Sequence, residues 1–266
     1  MNSIIKQKYK SILNKLQAEY HGKSYKGQNR LSAATYSNSE RTQIPSPYKY
    51  KDDLFPPVYS SLFSLKKSRP KPGTEIKWMR IGSLFPDKHQ VLAKPSSVDI
   101  EIFKGDDSYS EDYLPGTLNC LLGSPRIIEK MFEDQSINSF GIYLVKIYQE
   151  NVWKYIIIDD YIPVRKGENG RMEPAFIDVR VAKDAPLDIW PFLLEKAYAN
   201  YYSSYEALHC GNMLDFAEEI TGTPSERVKI KGESYRKGDK MTQEESENAT
   251  RKVEKAMKRG NTITVG

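Results

Sequence analysis

The feature that most constrains this chain is a helical pattern of apolar residues between positions 187 and 202. The residues that carry it recur three or four positions apart: Leu187, Trp190, Leu194, Ala197 and Tyr201. Residues at this spacing share one face of a helix. We therefore predict a helix over 187–202 and expect it to be the most buried helix of the fold. The residues expected to face inward include Trp190, Leu194, Ala197 and Tyr198.

The N-terminal region separates into a predicted helix over residues 1–20 and a polar segment over residues 21–50. Apolar residues of the helix again recur every three or four positions: Ile5, Tyr9, Ile12, Leu13, Leu16 and Tyr20. The opposite face is rich in lysine, which predicts an amphipathic helix. It is expected to dock on its own domain or on a partner, with attachment to a membrane surface as the alternative. Segment 21–50 has no apolar period and is predicted to be a flexible, disordered linker.

The middle of the chain combines helical and strand patterns. Residues 113–132 predict two short helices separated at 123–125, because proline suits the first turn of a helix and breaks its interior. Residues 140–148 and 152–158 are rich in β-branched and aromatic residues around a polar turn, which predicts a hairpin. Residues 159–163, which end in Pro163, are expected to close the second strand because proline cannot donate to a strand ladder.

The C-terminal third adds two predicted helices, over residues 214–220 and 242–259, and a predicted strand over 262–265. The last helix carries glutamates in its first turn and basic residues in its last, the order that the helix dipole favours. The predicted class is α+β, mainly helical with a small antiparallel hairpin sheet.

Charge and hydropathy exclude several classes of protein. The net charge of +5 comes from 40 basic and 35 acidic residues, and no basic run is interleaved with base-stacking aromatics. We therefore expect no nucleic-acid partner. No stretch approaches the roughly 18 apolar residues of a transmembrane helix, and the N-terminus lacks the apolar region of a secretory signal. Two distant cysteines are weak evidence for a disulfide, so a reduced, cytoplasmic location is expected.

Short motifs in a fixed order resemble the protease core of the calpain family, calcium-dependent cysteine proteases with a papain-like fold. They are Phe55-Pro56-Pro57, Trp78-x-Arg80, Gly141-Ile142-Tyr143, Asp159-Asp160 with Pro163, Leu193-Leu194-Glu195-Lys196-Ala197, and Thr221-Gly222. The resemblance implies that residues 51–222 form the first protease subdomain of that family. It also implies that 223–266 begin the second subdomain, which is truncated here.

The resemblance places an aspartate where the family has its nucleophile. In the family, a Gly-Asp-Cys-Trp segment is followed by a helix that runs to a proline 13 residues after the cysteine. If Pro125 is that proline, an ungapped count back reaches Asp112, which is followed by Tyr113. A papain-type mechanism needs a thiolate at a helix N-terminus and a histidine partner. This position holds no cysteine, and a carboxylate is a poor nucleophile toward amides. We therefore expect no catalytic nucleophile here.

Cys120 is the rival nucleophile, and it can take that role only if the alignment is gapped. Its apolar neighbours, Leu118, Leu121 and Leu122, favour a buried and inert thiol. Cys210 stands beside His209, but adjacent residues of a chain generally point apart, so a catalytic pair is not expected there.

The histidine and asparagine of the family's triad belong to a later β-rich subdomain. The three histidines of this chain, His21, His89 and His209, do not match that place. The chain as it stands is therefore predicted to assemble no triad of its own.

Two carboxylates match the family's calcium site in the first subdomain. Asp99 and Asp188 stand at the positions of its aspartate and glutamate, although Asp188 is one methylene shorter than a glutamate. Lys94 replaces a glycine of that site, and its charge opposes a divalent cation. Two interpretations stay open: a weak calcium site, or two ordinary surface or capping aspartates. If the two cooperate, their carboxylates should lie within about 6 Å of each other.

The leading functional hypothesis is a non-proteolytic calpain homologue that regulates or scaffolds other proteins, or a fragment of one. The alternative is a calcium-dependent cysteine endopeptidase whose catalytic segment is misaligned here and whose second subdomain lies beyond Gly266. Both imply a protein substrate or a protein partner, and neither defines an oligomeric state.

Overall fold

The fold is described by a computed structural model that covers residues 2–24, 45–63, 75–92, 101–104, 113–181, 183–228 and 242–259. Its α-helices are α1 (Asn2–Ser24), α2 (Tyr59–Leu62), α3 (Ile81–Leu84), α4 (Tyr113–Leu121), α5 (Pro125–Met131), α6 (Trp190–Tyr201), α7 (Met213–Thr221) and α8 (Gln243–Lys258). Short 3-10 helices span Ser46–Tyr48 and Glu206–Cys210. Its strands are β1 (Lys77–Arg80), β2 (Gln90–Val91), β3 (Glu101–Lys104), β4 (Ile142–Gln149), β5 (Val152–Asp159), β6 (Tyr161–Lys166), β7 (Met172–Pro174), β8 (Ile177–Arg180) and β9 (Leu187–Asp188).

The strands form small, separate sheets, and this confirms the predicted α+β class. Strand β6 lies between β1 and β7 in a three-stranded antiparallel sheet. The pairs β3–β8 and β4–β5 are also antiparallel, whereas β2 and β9 run parallel over two residues each. Helices α1, α3, α4, α5, α6 and α7 pack against strands of these sheets.

Helix α6 is the centre of the main hydrophobic core, as predicted. Its residues from Trp190 to Ala199 are all buried, a larger buried share than in any other helix within the described ranges. Trp190, Leu194, Ala197 and Tyr198 are each at most 1% exposed. The predicted start was three residues early, because Leu187 and Asp188 pair with β2 as a strand. The helix begins instead at Trp190, with Pro191 in its first turn.

The predicted hairpin is present as β4 and β5, which pair in register from Ile142 with Asp159 to Gln149 with Val152. Glu150 and Asn151 form the turn with φ values of 53° and 61°. Positive φ at both central residues matches the twist of a two-residue hairpin turn. The hairpin therefore follows from the alternating apolar pattern and its polar turn.

The second strand closes within residues 159–163 as predicted, but Pro163 is not the residue that ends it. Strand β5 does end at Asp159, but Pro163 lies inside β6, opposite Trp78 of β1. Its carbonyl accepts a hydrogen bond of 3.0 Å from the Ala175 N–H. Because the carbonyl and nitrogen of a strand residue point the same way, the nitrogen also faces the end of β7, so the missing N–H falls at the edge of that ladder.

Helix α1 packs on the hairpin, so docking on its own domain is confirmed. The helix runs to Ser24, four residues into the segment predicted as a linker. Of that segment, residues 25–44 lie outside the described ranges, while Tyr50 donates a backbone hydrogen bond of 2.7 Å to Phe140. The last part of segment 21–50 is thus attached to the core.

The remaining predicted helices are also present. Helices α4 and α5 are separated at residues 122–124, and α7 ends at Gly222, which has a left-handed φ of 65°. Helix α8 begins at a capping box between Thr242 and Glu245. The predicted strand 262–265 lies outside the described residues. None of the described helices is both long and apolar enough to cross a bilayer.

Candidate functional site

Helix α4 carries the segment in which the nucleophile is expected. Its first residue, Tyr113, donates a hydrogen bond of 2.5 Å from its hydroxyl to the Leu208 carbonyl and packs edge-on against Phe216, 5.7 Å between ring centres. Both contacts hold the start of α4 against the 3-10 helix Glu206–Cys210 and helix α7. Asp112 directly precedes Tyr113 in the sequence and lies outside the described residues, so its role stays a prediction.

The reference point for the nucleophile count is well defined. Pro125 stands in the first turn of α5, after Ser124 as the N-cap residue. This is the position in which proline costs a helix least, because its missing N–H would be unpaired there in any residue. The two-helix arrangement on which the count depends is therefore present.

Cys120 lies at the wrong end of its helix for a papain-type nucleophile. It is the eighth of the nine residues of α4, in the last turn. The partial negative charge of a helix C-terminus opposes a thiolate, whereas the N-terminus stabilises one. Its neighbours Leu118 and Leu121 are buried, but Cys120 itself is only half-buried. The expected buried thiol is thus corrected to a partly exposed one.

The histidines bring no base to this thiol. His209 is exposed on the 3-10 helix Glu206–Cys210, and His89 is exposed in the loop before β2. The side chains of His21 and Cys210 lie outside the description. Within the described part of the chain, no histidine is hydrogen-bonded to Cys120, so a Cys–His pair is not assembled there.

Asp188 occupies an unusual environment for a carboxylate. It lies in β9 opposite Val91, is fully buried, and has no hydrogen-bond partner for either carboxylate oxygen among the described residues. Burial raises the pKa of this carboxyl from 3.8 to about 7. A buried, unpaired carboxylate is costly, and nearby positive charge would stabilise it. Its burial shows that it is not an ordinary surface aspartate.

The partner expected for Asp188 is Asp99. Asp99 and Lys94 lie in 93–100, outside the described residues. That segment follows directly after β2, whose Val91 is the residue opposite Asp188. Within the described ranges, Asp188 included, no three side chains of histidine, cysteine, aspartate and glutamate gather as a metal cluster. The distance predicted between Asp99 and Asp188 stays untested.

A buried polar junction beside α6 was not predicted from the sequence. Lys196, fully buried, forms an ion pair with Asp159 and donates a hydrogen bond of 2.7 Å to the Tyr161 carbonyl. The second oxygen of Asp159 accepts from the Asp52 N–H at 2.8 Å, and Asn200 donates to Asp52 at 3.0 Å. Burial lowers the pKa of Lys196, and the nearby Asp159 carboxylate opposes that shift. Through Asp52, the junction joins the chain before α2 to helix α6 and to the end of β5.

A second ion pair lies beside the first. Arg80 pairs with Asp160, donates to the Tyr50 carbonyl at 2.9 Å, and stacks 4.2 Å above the Tyr161 ring. Gly141 packs against this pair with φ +63°, and a Cβ there would lie 2.8 Å from an Asp160 oxygen. Glycine is therefore required at this position. Two consecutive acids after a strand were the signal that could have predicted the paired cations.

Glu195 is a further buried acid of this region. It is 3% exposed, one of its oxygens has no described partner, and burial raises its pKa well above 4.5. Its other interaction is a hydrogen bond from the Ile177 backbone. Burial of this kind favours the protonated form of a carboxyl. These acids and bases contact one another or backbone groups, so their chemistry is structural rather than nucleophilic.

Comparisons with known proteins agree with this geometry. The family model described as "Calpain family cysteine protease" matches residues 50–265. Similar proteins include Calpain-13 of Rattus norvegicus, 30% identical over 185 residues, which are 67% of this chain and 25% of that protein. Calpain-5 of Caenorhabditis elegans is 24% identical over 205 residues, 74% of this chain and 29% of that protein. Calpain-9 of Homo sapiens is 26% identical over 216 residues, 80% of this chain and 27% of that protein.

The chain thus spans less than a third of the length of these relatives. The matched residues include the central helix α6, the hairpin, both buried ion pairs and Asp188. The match covers far more than half of the sequence, and the chain belongs to the calpain family of cysteine proteases.

Proposed function

We propose that this chain is a non-proteolytic calpain homologue, which acts as a regulatory or scaffold protein by contacting other proteins. Residues 51–222 are proposed as the first protease subdomain and 223–266 as the start of the second, with a cytoplasmic location. The observation that carries the proposal is the ungapped count from Pro125, which assigns the nucleophile position to Asp112.

The position of Cys120 supports the same proposal. A gapped alignment that made Cys120 the nucleophile would put it in the last turn of α4, where the helix dipole opposes a thiolate. Attack on a peptide carbonyl also requires a base to remove and return a proton. No described histidine is hydrogen-bonded to Cys120, so neither requirement is met among the described residues.

Digestion of casein and of a fluorogenic peptide at millimolar calcium tests the proposal. The wild-type chain, Cys120→Ala and a matched Cys210→Ala variant are compared, each with and without a thiol-reactive epoxide inhibitor. We expect no turnover by any of the three. Calcium-dependent turnover that disappears in Cys120→Ala and persists in Cys210→Ala would establish the alternative, a cysteine endopeptidase. Turnover that both substitutions leave unchanged would identify a contaminating protease.

We also propose that Asp188 and Asp99 hold a calcium ion. The support is the buried, unpaired carboxylate of Asp188 beside β2, together with the family positions of the two aspartates. Calcium prefers carboxylate and carbonyl oxygens. The bound ion would supply the positive charge that keeps Asp188 ionised in a buried site.

Calcium binding is tested by thermal unfolding with millimolar calcium or with a chelator. The wild-type melting temperature should rise with calcium, because a ligand that binds only the folded state stabilises it. Asp99→Asn and Asp188→Asn should each remove that rise, whereas the exposed Asp184→Asn should retain it. A rise of equal size in all four proteins would show that calcium binds elsewhere.

A further inference from the structure

The β4–β5 hairpin is covered on both faces by different parts of the chain. Alternate residues of β4, Tyr143, Val145 and Ile147, belong to the main core around α6. The residues on the opposite side belong to a second hydrophobic cluster, which α1 completes. We call these residues the outer hairpin face: Phe140, Ile142, Leu144, Tyr155 and Ile157.

Helix α1 lies on the outer hairpin face through one apolar stripe. The stripe consists of Ile5, Tyr9, Ile12, Leu13, Leu16 and Tyr20. The Tyr20 ring reaches Phe140, 6.2 Å between ring centres, while Asn2 at the other end donates a hydrogen bond of 2.7 Å to the Trp153 carbonyl. The helix therefore follows the hairpin along most of its length.

Polar contacts fix the register of this helix. Lys6 forms an ion pair of 2.6 Å with Glu133 and lies 4.8 Å from the centre of the Tyr155 ring. The Tyr9 hydroxyl is hydrogen-bonded to Asp134. Lys6 and Tyr9 are one helical turn apart, so the pair of acids before the hairpin recognises two neighbouring positions of the docked helix.

The packing of α1 is shallower than that of the main core. Tyr9 is the one buried residue of its stripe, at 2% exposed, and the other members are only partly buried. The outer hairpin face lies within the residues that match the family model, whereas α1 lies before the match begins at residue 50. The surface thus belongs to the family core and its cover to an added segment.

We propose that the outer hairpin face is a helix-binding surface and that α1 occupies it as a displaceable ligand within the same chain. A partner of the right chemistry is an amphipathic helix. It has apolar residues at the spacing of the α1 stripe, with a lysine next to the first apolar position and a hydrogen-bond donor one turn later. Such a helix binds by laying its apolar face on an apolar surface.

Tethering makes α1 a competitor of any partner helix. A segment joined to its site through a short connection has an effective concentration that can reach the millimolar range. A free helix therefore binds well only when α1 is released. The N-terminal segment would in this way regulate access to a surface of the protease-like core.

The test uses the full chain and a fluorescent peptide with the sequence of residues 2–24. Leu13→Asp places a carboxylate on the apolar stripe and should release α1. Asn14→Asp places the same group on the exposed side and is the matched control. We expect the peptide to bind Leu13→Asp at least about ten-fold more tightly than wild type or Asn14→Asp, because the tethered competitor is removed. Near-UV circular dichroism checks that the main core stays folded, and Tyr9→Ala provides a second release variant.

Charge exchange tests the register. A peptide with Lys6→Glu should bind Leu13→Asp more weakly, and adding Glu133→Lys to the protein should restore binding. Equal binding by wild type and Leu13→Asp would show that α1 does not occupy the face. Failure of folded Leu13→Asp and Tyr9→Ala to bind the peptide, or equal binding of a scrambled peptide, would overturn the helix-binding surface.

Discussion

At the scale of single residues, buried charge distinguishes this molecule. Lys196 and Arg80 are each paired with a carboxylate. In contrast, neither carboxylate oxygen of Asp188 has a hydrogen-bond partner among the described residues. An unpaired buried carboxylate favours its protonated form. Its protonation therefore contributes to the pH dependence of folding more than that of a surface acid.

Asp188→Asn should change how stability depends on pH in calcium-free buffer. The Asp188 carboxyl has its pKa raised to about 7 by burial, against an ordinary value of 3.8. Between pH 3.8 and about 7, the folded protein keeps a proton on Asp188 that the unfolded chain has lost. The free energy of unfolding therefore falls as pH rises from about 4 to 7. Between pH 5 and pH 8 the free energy of unfolding should therefore fall further in wild type than in the variant, by on the order of 2–3 kcal/mol. Guanidinium unfolding at the two pH values measures the difference.

The control for this comparison is Asp184→Asn, which removes an exposed acid four residues earlier. It should show the wild-type pH dependence. If Asp188→Asn parallels wild type as well, the Asp188 carboxyl does not change its protonation on folding in this range.

At the scale of elements, patterns that extend over several residues were predictable and short ones were not. The hairpin and α6 follow from alternation and from helical spacing, which repeat over many positions. The β2–β9 pair has two residues in each strand, too few for a pattern. For this reason, Asp188 was assigned to the start of a helix although it lies in a strand.

The end of α7 offers a test of backbone geometry. Gly222 has φ +65°, and a Cβ there would lie 2.7 Å from Cζ2 of Trp153. Gly222→Ala should lower the free energy of unfolding by about 1–2 kcal/mol for the left-handed conformation alone, and by more if Trp153 cannot move. Gly123→Ala, where the nearest atom is 3.6 Å away, should change it by less than about 0.5 kcal/mol.

Gly222→Asn separates the two causes, since asparagine tolerates left-handed φ better than alanine does. A smaller loss for Asn than for Ala identifies the backbone conformation as the cause. Equal losses identify the contact with Trp153, and no loss in either variant would contradict the described helix end.

At the scale of the whole molecule, the hairpin separates two hydrophobic clusters of unequal size. The larger surrounds α6 and includes residues from nearly every element of the family core, while the smaller joins the hairpin to α1. Because regions with few buried apolar contacts open first, the two clusters should not unfold together.

Amide hydrogen exchange in increasing, sub-denaturing urea measures this difference. Amides of α1 should exchange through local opening at low urea, whereas those of α6 should exchange only through global unfolding. Tyr9→Ala should accelerate exchange in α1 and leave α6 unchanged, because Tyr9 is the buried residue of the smaller cluster. Acceleration of both helices to the same extent would show that the molecule unfolds as one unit.

The candidate site was only partly predictable for a physical reason. Sequence spacing located helix α4, which carries Cys120, and helix α6, which follows Asp188. It did not give the exposure of these side chains or their interaction partners. The partners Lys196 and Asp159 are 37 positions apart and meet only because the hairpin packs on α6. Asp99 and Asp112 lie outside the described ranges, so the calcium ligand and the nucleophile position stay predictions.

The complete burial of the Lys196 side chain gives the protein an internal chemical reporter. Amine reagents need direct access to a neutral amino group, and this one is enclosed by Asp159 and the Tyr161 carbonyl. Exposed lysines such as Lys8, Lys10 and Lys15 should acylate within minutes in the native protein. Lys196 should be acylated only when the core opens. The rate of its acylation, measured by mass spectrometry, therefore reports how often the whole core opens, and the measurement needs no substitution in the protein.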